Sequence, residues 1–133
     1  MPFRRPKSLR ELAEQAETYR QFGAGMRDFL HEFARAKSLN QPLAPLLAEE
    51  PPRLAGRFPE GNICDAFIAA TADYLSRKNR IQSPPWSLFE DRVLEHPWFS
   101  EEMPEVRMFL LRDSPSAFKD KNLFVNESAL AVA

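Results

Sequence analysis

Proline placement constrains this chain before any other feature. Twelve of its 133 residues are proline, close to twice the usual share of about 5%. They crowd residues 42–59, recur at Pro84-Pro85, and stand singly at Pro97, Pro104 and Pro115. Proline has no backbone N–H and a fixed φ. It therefore opens or ends helices and is excluded from central strands. The rest of the composition points the same way: sixteen Ala and fifteen Leu stand against three Ile, four Val and two Thr, which favours helices over sheets. The expected fold is all-α, a single compact domain of about five helices joined by proline-rich turns, with a short extended segment near the C-terminus. Residues 1–7 read as a basic flexible arm, 8–133 as the helical domain, and 38–61 as a proline-rich connection wrapping the core.

Local signals place the helices. Ser8-Leu9-Arg10-Glu11 is a capping box, in which serine and glutamate satisfy free N–H groups of the first turn. Leu9, Leu12, Ala16, Tyr19, Met26, Leu30 and Phe33 then recur at helical spacing. Gly23-Ala24-Gly25 interrupts them; two glycines cost a helix interior roughly 2 kcal/mol against alanine. A kink or a two-helix break is expected there, with the second piece over 26–37. A helical turn is expected near 44–49. Asn62 reads as the cap of a helix to about Arg80, with Asp65 in its first turn. Ser87-Leu88-Phe89-Glu90 reads as a second capping box opening a short helix to about Glu95. Pro104 starts another over 105–112, with Val106, Phe109 and Leu110 facing inward. The core is expected to gather Phe29, Phe33, Phe67, Phe109 and the aromatics of 86–99 round the 63–80 helix. Phe118 and Phe124 are expected to fold back on it as lids.

Charge and sulfur narrow the setting. Net charge is −1, but residues 1–40 carry +3 and residues 81–104 carry −4. No strong basic excess is present to drive non-specific nucleic-acid binding. Cys64 is the one cysteine, so no internal disulfide forms and a reducing cytoplasm fits. The opening "MPFRRPKS" has charge without an apolar run behind it, unlike a secretory signal. No stretch reaches the ~18 apolar residues of a membrane span.

Chemical machinery is sparse. Only His31, His96 and Cys64 offer nitrogen or thiolate ligands, and no pair has zinc-type spacing. Neither a metal nor a cofactor is expected. Cys64 near a helix start has a dipole to lower its pKa, though a buried free cysteine is more simply a small hydrophobe. "FGAGMRDF" holds two glycines without the strand and lysine of a phosphate loop. Arg4, Arg5, Lys7 and Arg10 form a candidate nucleic-acid arm. Trp86, Trp98 and Phe99 flank prolines in an acidic stretch with Glu101 and Glu102. Proline-locked turns suit these rings as core wedges, the first reading; aromatics beside charges are also what binding hot spots use, which makes these five the candidate partner surface.

The strings "FLHEF" (29–33), "DAFIAATADYL" (65–75), "PPW" (84–86), "HPWF" (96–99) and "LLRDSPSAFKDKNLFV" (110–125) together resemble a family of small uncharacterised bacterial proteins, over residues 26–130. Its members are often encoded beside nucleotidyltransferase-like genes in toxin–antitoxin-like pairs. The family pattern is more basic over 119–122, where Asp120 here interrupts the lysines. The resemblance implies a protein partner and no catalytic residue. The expected function is a cytoplasmic, non-enzymatic protein-interaction module, the antitoxin-like member of a two-gene system. The alternatives are a DNA-binding or transcription-associated protein using the basic arm and, third, an enzyme using Cys64 or His31.

Overall fold

The computed structural model describes residues 4–130. They are mostly helical, with one small two-stranded parallel sheet. The all-α expectation therefore holds. The chain divides into two compact units, residues 4–65 and 66–130.

In the first unit the Ser8 cap forms as the motif requires: its hydroxyl accepts from Glu11 N–H at 3.1 Å and starts α1 (Leu9–Gln15). α2 then runs unbroken over Tyr19–Ser38, through both glycines. The expected break lies earlier, at Ala16–Thr18, where Ala16 is extended and the Thr18 hydroxyl accepts from Gln21 N–H at 3.1 Å. Packing explains the correction. A Cβ on Gly25 would lie 2.8 Å from Leu12 Cδ1, so glycine lets α1 close on α2. That contact outweighs intrinsic propensity, which is a weak prior. Arg57 donates to the carbonyls of Ala13 at 2.6 Å and Ala16 at 2.9 Å, satisfying the free end of α1. Leu9, Leu12, Phe22, Phe29 and Phe33 are buried.

The proline-rich connection contains α3 (Pro45–Ala48), as its spacing predicted, and returns through buried Leu47 and Leu54 to α4 (Gly61–Lys78). Asn62 lies inside α4 rather than capping it. Asp65 serves the neighbouring loop: it is buried and accepts from Leu54 N–H at 2.7 Å and Ala55 N–H at 3.0 Å. The loop backbone sits so close that a Cβ on Gly61 would fall 2.0 Å from the Leu54 carbonyl oxygen. Only glycine fits there.

In the second unit α4 is buried from Ala66 to Ser76 apart from half-buried Phe67, with Ile68, Ala69, Ala70, Thr71, Ala72 and Leu75 all at 0% exposure. The closing segment folds back on it. Phe118, on α6 (Ser116–Lys119), is fully buried and meets Phe67 and Tyr74 edge-on at 5.1 and 6.1 Å. Leu123, Val125 and Leu130 are also buried, and Phe124 is half-buried. The Tyr74 hydroxyl donates to Glu127 at 2.9 Å. The extended piece becomes β2 (Leu123–Phe124), paired in parallel with β1 (Trp98–Phe99). Trp98 N–H donates to Asn122 C=O at 2.8 Å, and Ser100 N–H to Phe124 C=O at 3.0 Å. Asn122 takes a left-handed φ of 64° to enter the strand, a conformation asparagine tolerates.

The helix expected over 87–95 is absent. Two 3₁₀ turns, Pro85–Leu88 and Glu90–Arg92, replace it, separated by extended Phe89. The Ser87 hydroxyl donates back to the Pro84 carbonyl at 2.7 Å, so the capping box never assembles. Two consecutive prolines hold the entry in a 3₁₀ turn, where the serine finds a nearer partner.

Candidate functional site

α5 (Pro104–Asp113) gathers the most exposed apolar side chains. Pro104 occupies its first turn, where a missing N–H costs nothing. At the other end Ser114 ends the helix and fastens it. Its hydroxyl donates to Leu110 C=O at 2.5 Å and accepts from Val125 N–H at 2.9 Å. This clip turns the Val106–Leu110–Ser114 row inward, with Leu110 and Ser114 buried and Val106 half-buried. At about 100° per residue, Phe109 then falls to one side. The sequence expectation of an inward Phe109 is corrected: it is 58% exposed.

The outward half of α5 mixes large apolar side chains with charged ones. Met108 is 73% exposed and Leu111 51%, with Met103 just before the helix at 60%. Glu105 and Arg112 stand on the same outward row as Met108, at i, i+3 and i+7. Arg112 holds Asp113 in a two-point pair at 2.9 and 3.0 Å, and its guanidinium lies 5.3 Å from the Phe109 ring centre. The pair keeps the Asp113 carboxyl below its usual range, chiefly through the Arg112 hydrogen bond. Glu101, Glu102 and Glu105 supply an exposed acidic border at the helix start.

Four of the five residues expected on the partner surface lead into this helix; the fifth does not. Trp98 and Phe99 are half-buried, and Glu101 and Glu102 are exposed. The Phe99 ring stacks on Phe124 at 4.8 Å, and the Arg107 guanidinium lies over it at 5.0 Å. Phe99 is thus a footing for α5. Trp86 is only 3% exposed, with the buried Arg92 guanidinium 5.0 Å from its ring. It is a core residue and presents nothing to a partner. Met103, Met108, Phe109 and Leu111 were not read from sequence as surface. A signal was present: residues 106–111 read Val-Arg-Met-Phe-Leu-Leu, more apolar positions than one helix face can bury.

Elsewhere, two cations of the basic arm, Arg5 and Arg10, have carboxylate neighbours. Arg5 pairs with Glu32 at 3.1 Å, and Arg10 with both Glu14 and Glu49. The Arg4 and Lys7 backbone N–H groups donate to Gln15 and Glu11 side chains at 3.0 and 2.9 Å. Cys64 is fully buried, and burial, aided by the Asp65 and Glu60 charges, pushes its thiol up to about 12. The helix-start effect that would activate it is overridden by desolvation. His31 lies exposed on α2. Among the described residues, no three of His, Cys, Asp or Glu are grouped to hold a metal, and no helix is long and apolar enough to cross a membrane.

A half-buried charge cluster supports the second unit. Asp73, 2% exposed, accepts from Ser83 Oγ at 2.6 Å and pairs with Arg77 at 2.8 Å; Arg77 reaches on to Asp120 at 3.3 Å. Lys121 is 3% exposed, and burial pulls its pKa down against the opposing pull of Asp73 and Asp120. Asp73 and Lys121 are buried while Arg77 and Asp120 reach the surface, and the group reads as structural.

No protein-family model, curated protein or solved structure matches the chain.

Proposed function

We propose that this chain is a non-enzymatic protein-interaction module whose contact surface is the outward half of α5 with its acidic border. One observation carries the reading: Met108, Phe109 and Leu111 stand 73%, 58% and 51% exposed on one ten-residue helix. Exposed apolar groups rimmed by polar residues mark protein contact sites, and methionine and phenylalanine are side chains interface cores favour. The motif resemblance adds a setting, the antitoxin-like member of a two-gene pair. The DNA-binding alternative rests on a short basic arm, which by itself gives only weak phosphate attraction.

The test is a photo-crosslinking residue placed at position 108 or 111 in living cells, with exposed Arg27 on α2 as the control position. The expected result is discrete protein adducts at 108 and 111 and none at 27. Equal, diffuse labelling at all three positions would remove the reading.

A further inference from the structure

We infer that the occupant of the α5 face is a second copy of this chain, bound with the two α5 helices antiparallel about a two-fold axis. The inference rests on the interaction-module reading and names its partner. The outward row reads acid, apolar, base: Glu105, then Met108 flanked by Phe109 and Leu111, then Arg112. Glu105 and Arg112 are seven residues apart, two helical turns, and so lie on one line. Reverse a second copy about a point between residues 108 and 109, and each position n meets position 217 − n. Glu105 then meets Arg112 of the other copy, and Met108 meets Phe109. A two-fold interface must be complementary to itself, and this row is. A parallel pairing would set Glu105 on Glu105 and Arg112 on Arg112. The antiparallel arrangement also opposes the helix dipoles favourably.

Arg112 is free to change partners. Its pair with Asp113 is exposed on both sides, at 70% and 59%, and exposed pairs hold weakly. Its contact with Phe109 already positions the guanidinium along the face. Size sets the strength. A ten-residue helix is about 15 Å long, and one face of it buries less than the ~800 Å² per partner of a standard interface. An interface this small belongs with weak, reversible contacts.

The experiment is sedimentation equilibrium on the purified full chain through the micromolar range, with two charge variants. Wild type should show a reversible monomer–dimer equilibrium. Glu105→Arg sets arginine against Arg112 of the other copy, and Arg112→Glu sets glutamate against Glu105. Each alone should weaken the dimer about tenfold or more. Mixed in equal amounts, the two variants should recover near wild-type association, because every facing pair is again opposite in sign. The double variant should recover it alone. Circular dichroism on each variant checks that the helices remain. A dimer that forms but shows no rescue on mixing overturns the antiparallel α5 register. A purified chain monomeric throughout, while position 108 still crosslinks to a different protein in cells, overturns self-pairing and leaves the interaction reading standing. Monomer with no crosslink at 108 overturns both.

Discussion

α4 and α5 have similar side chains and opposite fates. Each carries apolar residues round most of its circumference. In α4 the residues from Cys64 to Ser76 are buried except half-buried Phe67; in α5 only Leu110 is. The difference lies in what covers them. The alanines of α4 are buried, and Phe118 closes over Phe67 and Tyr74. α5 is held from one side only, by the Ser114 clip and the Arg107–Phe99 contact. An apolar helix without an internal cover is the part of a fold that meets something else.

Substitutions can break this comparison, and the largest effects should fall on α4. Ala69→Glu places a carboxylate where exposure is 0%. It should cost at least about 4 kcal/mol, through burial of a charge and overpacking, seen as loss of cooperative unfolding in urea. Phe118→Ala removes the cover and leaves a cavity over Phe67 and Tyr74; the expected loss is about 3–5 kcal/mol. Survival of wild-type stability in either variant would mean that α4 is less tightly enclosed than its burial indicates. Gly61→Ala meets the Leu54 carbonyl. Backbone cannot move aside as a side chain can, so about 3 kcal/mol is expected, with a parallel drop in melting temperature.

Alkali gives a subtler probe of α4. Cys64 and Tyr74 are each pushed up to about 12, mainly by burial. The unfolded chain releases these protons from about pH 8.5 for the thiol and 10 for the phenol, while the folded chain keeps them. Stability is therefore intact below pH 8.5 and falls as pH rises toward 12, by up to about 1.4 kcal/mol per pH unit for each group. Cys64→Ala should flatten the earlier part of the fall, measured as urea midpoints from pH 8 to 11. The smallest effect belongs to α5. Met108→Glu should change monomer stability by no more than about 0.5 kcal/mol, while abolishing crosslinks at position 111. A large destabilisation would place Met108 inside the fold and erase the contrast.

Signals carried by neighbouring residues were legible without coordinates. Ser8 caps α1 through Glu11 N–H, Pro104 opens α5, and Ser114-Pro115 closes it. Phe118 folds back and the segment after Asn122 is extended, both as read from the chain. Signals that depend on distant neighbours were misread. Gly25 looks like a helix breaker until Leu12 is seen against it. Asp65 looks like a dipole partner until Leu54 and Ala55 offer their N–H groups. Ser87 looks like a cap until the Pro84 carbonyl lies nearer.

For the candidate site the division is the same. Sequence alone determined that the chain would be helical, that Pro104 opens α5 and that Ser114-Pro115 closes it, because φ restriction and caps act within a few residues. It also placed the acidic stretch that borders α5. Only the tertiary structure decided that Trp86 is core and Met108 surface. Which side of a helix is covered depends on how its ends are fastened, and the Ser114 hydroxyl reaching Val125 N–H is a long-range contact that no local pattern encodes.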